Sequence, residues 1–144
     1  MLLVFLLELN WLAIVVAWIV AFVAGALWFG PMTFFPVWWK AMGRKPDEAA
    51  GGSNMGVIFG ATAVGALVEA IAVASVIHFV ALSDPSFGPL NGALTGFLLG
   101  VGLAAASSLS HRLFAGHGFK VWIIEVASDT LNLTLMGLII GWWR

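Results

Sequence analysis

Four apolar runs, each close to the ~20 residues needed to cross a bilayer, constrain this chain more than anything else in it. They fall roughly at 8–30, 56–81, 91–113 and 119–142. Each break has its own chemistry. Gly30-Pro31 cannot easily continue a helix, and Asp84-Pro85 with Gly88-Pro89 makes a turn within "SDPSFGP". "AGHG" closes a short hairpin between the last two runs. A soluble alternative fails on composition. The chain has 144 residues, 62% hydrophobic and 9% charged, against about 25% charged in an ordinary soluble domain. Its mean hydropathy is +1.06. So short a chain has too much surface to hide that much apolar matter from water. The expected fold class is all-α integral membrane: one domain over residues 1–144, a four-transmembrane-helix bundle with an interfacial segment between helices one and two.

Composition also removes several classes of function. Net charge is −1 with no basic run, so nucleic acid is not an expected partner. Without cysteine, disulfides, thiolate catalysis and Cys-ligated metals are excluded. Zinc-ligand spacing, a Gly-rich phosphate loop and a nucleophile elbow are all missing. We therefore assign no catalytic residue, no metal ligand and no cofactor, expect lipid contacts only, and expect no enzyme. The opening "MLLVFLLELNWLAIV" lacks a basic first segment and a small-x-small cleavage site, and Glu8 interrupts it. It reads as the start of a retained helix.

Basic residues set the expected orientation. Lys40, Arg44 and Lys45 lie between helices one and two, Arg112 and Lys120 flank the last hairpin, and only Arg144 lies on the other side. This places both those loops in the cytoplasm and both termini outside. In "PMTFFPVWWKAMGRKP" aromatics sit beside basic residues, which suits a segment at headgroup depth. There Trp38 and Trp39 would be anchors and Lys40 would snorkel. "DEAAGGSN" follows as a flexible linker, and Trp142 and Trp143 mark the outer interface. Most tryptophans fall at such boundaries; Trp18 does not.

Small residues recur every four positions. Helix three carries Gly92, Gly96, Gly100, Ala104 and Ser108; helix two carries Gly56 and Gly60, with Ala61, Gly65 and Glu69 on a neighbouring face. Helix one has Ala13, Ala17, Ala21 and Gly25, and helix four has Gly137 and Gly141. In lipid, close backbone approach over small side chains has to supply the packing. Such stripes serve either the bundle interior or a dimer interface, and spacing alone does not assign them.

Polar groups inside the spans are the candidates for function. Glu69 lies near the middle of helix two. On helix four, Glu125, Asp129, Asn132 and Met136 are spaced i, i+4, i+7 and i+11, which is one face. At 1.5 Å per residue Glu125 is about 9 Å and Asp129 about 15 Å from the start of its helix, a depth like that of Glu69. If the two helices touch, Glu69 and Asp129 can share a proton, with Ser107, Ser108, Ser128, Thr130 and Thr134 as hydrogen-bonding neighbours. Arg112 and His111 come within reach of Glu125 across the hairpin, although Arg112 also suits a snorkelling topology anchor. Intramembrane carboxylates mark proton or ion paths, or else they are glue between helices. His78 and His111 sit at opposite depths, so neither pairs with the other around one haem or pigment.

Two longer runs carry a family resemblance. "NWLAIVVAWIVAFVAGALWFGP" holds Asn10-Trp11-Leu12-Ala13 and Gly25-Ala26-Leu27-Trp28-Phe29-Gly30-Pro31, followed by "WWKAMG"; "IIEVASDTLNLTLMGLIIGWW" holds Glu125 and Leu135-Met136-Gly137. With these the chain resembles a bacterial family of small four-helix membrane proteins known as domain-of-unknown-function family 1761. In that family a histidine or similar polar residue is expected one turn after the acid, where this chain has Asp129. The resemblance implies the fold, the topology and a bacterial inner-membrane location, and it implies no activity, substrate or cofactor. The leading reading is a helix-packing module, acting as a homo-oligomer or as a subunit of a larger membrane complex. The second is a proton- or cation-coupled transporter or channel using Glu69, Glu125 and Asp129. The third is a pigment or haem binder through His78 or His111.

Overall fold

The computed structural model describes residues 4–50 and 54–143. Residues 51–53 of the expected linker, and Arg144, lie outside them. After a 3-10 turn at Val4–Leu7 come α1 (Trp11–Trp28), α2 (Phe35–Ala41) and α3 (Met55–Ala81). Next is α4 (Pro89–Leu99), which runs through a π-helical turn, Gly100–Ala105, into α5 (Ala106–Phe114); α6 (Gly118–Trp142) ends the fold. No strand occurs among the described residues. Four helices are long and apolar enough to cross a membrane: α1, α3, the continuous Pro89–Phe114 helix, and α6.

The helix ends follow from local chemistry. Asn10 caps α1 by accepting from the Ala13 N–H at 3.0 Å, which satisfies one of the free donors of the first turn. Its amide also donates to the Trp143 carbonyl, tying the start of α1 to the end of α6. The first span therefore begins at Trp11 rather than at residue 8. At its other end the Thr33 hydroxyl lies 2.7 Å from the Trp28 carbonyl. Asn54 caps α3 through the Val57 N–H at 3.2 Å. Gly116 and Gly118 both have φ of 77°, a left-handed backbone that glycine adopts without a Cβ clash, and they fold α6 back beside α5.

The core is shared by α1 (Ala13, Ile14, Ala17), α3 (Ala70, Val73, Ile77) and α6 (Leu133, Met136, Ile140). Helix α6 is the hub and packs most extensively on α4. A Cβ at Gly92 would run into the Gly137 carbonyl; one at Gly96 would sit 2.6 Å from the Leu133 carbonyl carbon, and one at Gly100 2.7 Å from the Thr130 Cα. The helix-three glycines thus serve the interior of the bundle. Their four-residue stripe stops at Gly100. The π-helical turn inserts a residue, so the fully buried position that follows is Ala105, five residues on, while Ala104 is half-buried and still packs against the core. The Ala105 carbonyl accepts from the Trp122 indole at 3.1 Å.

Helix α3 behaves differently along its length. Its buried residues are Ala70, Val73, Ala74 and Ile77, all in the second half. Before Ala66 and Leu67, which pack against the core, the helix stands off from the bundle, and a Cβ at Gly60 or Gly65 would meet no atom within 4 Å. Among the described residues these two glycines make no close helix contact. One strut crosses the gap: the Trp18 indole of α1 donates to the Ala63 carbonyl at 2.8 Å, which explains a tryptophan far from any boundary.

Candidate functional site: an acidic cavity between α1, α2, α3 and α6

Where α3 stands off, a cavity of about 720 Å³ opens between α1, α3 and α6, with α2 along one side. Residues at helical spacing build its walls. Helix α3 contributes Met55, Phe59, Thr62, Gly65 and Glu69, and α6 contributes Ser128, Asp129, Asn132 and Met136. Phe22 and Gly25 come from α1, Phe29 from the position that caps its end, and Phe35, Trp38 and Trp39 from α2. Most of this surface is apolar or aromatic. Among the described residues no lysine, arginine or histidine lines it.

Glu69 and Asp129, from different helices, both face this space, as their matched depths in the sequence suggest. Among the described residues neither makes a hydrogen bond or an ion pair, and both side chains are exposed. They are near enough for their like charges to oppose each other. Asp129 also feels Glu125 and, with opposite sign, Arg112. A carboxylate ionised at the centre of a span costs about 2.5–3.5 kcal/mol, so two open ones are an expense that packing does not explain. Beside them the Asn132 side-chain oxygen is buried with no hydrogen-bond partner among the described residues. Gly25 lets α1 pass this amide, because a Cβ there would lie 3.2 Å from the Asn132 Nδ2.

Glu125, one turn earlier on the same helix, is occupied. Its Oε2 lies 2.6 Å from the Arg112 Nε, and its Oε1 accepts from the Trp38 indole at 2.9 Å. Arg112 also approaches the His117 Nδ1 at 3.3 Å. Arg112 therefore turns inward to an ion pair instead of snorkelling, and Glu125 is held closed by both oxygens. Such charge-assisted pairs are strong and directional.

The remaining candidates lie elsewhere. His111 is exposed, with its Nδ1 3.0 Å from the Ser107 carbonyl, away from Glu125. His78 pairs with Glu8 at 3.5 Å near the other end of the bundle. Trp38 and Trp39 both have partners within the chain. Trp38 spends its N–H on Glu125, while Trp39 is buried, donates to the Lys45 carbonyl at 2.8 Å and stacks on Phe35 at 5.4 Å. Lys40, Trp142 and Trp143 are exposed. Among the described residues no group of three or more His, Cys, Asp or Glu could hold a metal ion. Local spacing did not reveal the aromatic wall, in which Phe22 of α1 is joined by Phe29 just past the helix end and by the aromatics of α2.

Residues 12–141 match the model of a family described as Protein of unknown function (DUF1761). The chain belongs to the DUF1761 family. The match takes in all four membrane-length helices and every cavity wall. No curated protein and no solved structure matches the chain. Membership of DUF1761 assigns no activity.

Proposed function

We propose that this chain is a small four-span unit of the bacterial inner membrane that moves protons or cations by way of Glu69 and Asp129. The observation that carries this reading is that two carboxylates without partners, on different helices, face one cavity while the third, Glu125, is neutralised by Arg112. Glue between helices would need the acids to contact something, and neither of these two makes a hydrogen bond or an ion pair among the described residues. In this reading the termini lie outside, α2 lies at the cytoplasmic interface, and the Trp38–Glu125–Arg112 contacts brace the cytoplasmic end of the cavity. A bundle this narrow works as a homo-oligomer or within a larger membrane complex. The open first half of α3, with space at Gly60, also favours a second reading, in which that face packs against another transmembrane helix.

The test is flux. The protein is reconstituted into vesicles loaded with a pH-sensitive dye, and a proton or cation gradient is applied. Flux in the wild type, lost in both Glu69→Gln and Asp129→Asn, is the expected result. Absence of flux under every gradient would remove the carrier reading and leave the packing one.

A further inference from the structure

We infer that the cavity binds a lipophilic organic cation, an aromatic or alkyl-substituted ammonium or phosphonium, and not a bare inorganic ion. The inference rests on the reading of Glu69 and Asp129 as working groups, and it names what they work on. Size is the first argument. About 720 Å³ lies within the range of pockets that enclose a drug-sized molecule and far exceeds the ~30 Å³ share of one water.

The lining is the second argument. A hard metal cation wants six or more oxygen ligands close around it, and no group of three or more His, Cys, Asp or Glu side chains that could hold a metal ion exists among the described residues. Here the polar atoms of Glu69, Asp129, Asn132 and Thr62 share the walls with Phe22, Phe29, Phe59 and Trp38. Aromatic faces attract a large, weakly hydrated cation through their negative quadrupole, and the apolar walls take up its substituents. Charge is the third. The cavity holds two carboxylates and no basic side chain, and the one arginine close enough to be felt by Asp129 is committed to Glu125. An anion would meet uncompensated repulsion, and a neutral ligand would leave both carboxylates unpaired. The first half of α3, which supplies one wall of the cavity, has no buried residue.

The experiment measures binding to the purified full chain in detergent by equilibrium dialysis, with tetrahedral probes of matched shape: tetraphenylphosphonium as the cation and tetraphenylborate as the anion. The cation is expected to bind saturably. Glu69→Gln and Asp129→Asn should each weaken it about tenfold or more, the order expected for removing a charge contact in a poorly solvated site. Gly65→Leu fills open space on the cavity wall and leaves both carboxylates in place. It should abolish binding while the helical spectrum and unfolding midpoint stay at wild-type values. Equal binding of cation and anion, or cation binding unchanged in all three variants, would overturn the proposal. Saturable, carboxylate-dependent binding without flux would uphold this substrate class and remove the carrier reading. Carboxylate-dependent proton or sodium flux with no cation binding would do the reverse.

Discussion

Replacing Gly96 with alanine tests how α4 and α6 are held together. The added Cβ would run into the Leu133 carbonyl, 2.6 Å from its carbon, and would lie 3.0 Å from the Thr134 Cα. Carbon atoms pack comfortably at about 3.5–4.0 Å, so the misfit is close to 1 Å. All the atoms it meets are backbone, which cannot rotate aside, and the two helices must separate along the most extensive contact in the fold. Overpacking of this kind typically costs about 1–3 kcal/mol. The intrinsic gain of alanine over glycine in a helix, about 1 kcal/mol at most, offsets only part of it. Because the clash is with backbone, the cost falls at the upper end of that range, and the net expectation is a loss of about 2 kcal/mol. The assay is denaturant titration in mixed micelles followed by helical circular dichroism. Gly102→Ala and Gly60→Ala serve as references, because a Cβ at either meets no atom within 4 Å; they should be neutral or slightly stabilising. If Gly96→Ala unfolds at the same denaturant composition as Gly102→Ala, the close crossing is wrong.

Two other contacts give sharp expectations. Arg112→Ala leaves Glu125 half-closed with its charge unpaired; a fully buried case costs about 3–5 kcal/mol, and with Arg112 37% exposed about 1–3 kcal/mol is expected. The double variant Arg112→Met with Glu125→Met should recover most of that loss in the same unfolding assay, and a purely additive loss would mean the pair does not interact. Trp18→Phe removes the bond to the Ala63 carbonyl and should cost about 1 kcal/mol, with faster amide exchange confined to the first half of α3; uniform exchange across all four spans would refute the strut.

The apolar run lengths carried the fold class, because backbone in lipid must satisfy its own hydrogen bonds and a ~20-residue apolar run has little choice but a helix. Boundaries shifted where side chains act on the backbone: Asn10 starts α1 at Trp11, later than the apolar run itself begins. The four-residue stripe on helix three was legible as far as Gly100. The π-helical turn that transfers burial to Ala105 was not, because an inserted residue leaves the amino-acid pattern unchanged and shows only against the partner helix. The site divided in the same way. Helical spacing put Glu125, Asp129 and Asn132 on one face, and matched depth put Glu69 near Asp129. What separates a paired acid from an open one is long-range: Arg112 arrives across the hairpin and Trp38 from α2. A cavity is a volume left unfilled, and no residue pattern along one chain encodes that.

The central claim is that Glu69 and Asp129 open onto a shared cavity while Glu125 is closed. Dicyclohexylcarbodiimide, which partitions into the bilayer and modifies carboxyl groups that it can reach there, tests this directly when applied to the native protein in membranes and read by peptide mass spectrometry. The expected result is modification at Glu69 and Asp129, little at Glu125, and protection of both open residues by tetraphenylphosphonium. Modification of Glu125 as readily as Asp129, or of none of the three, would contradict the account.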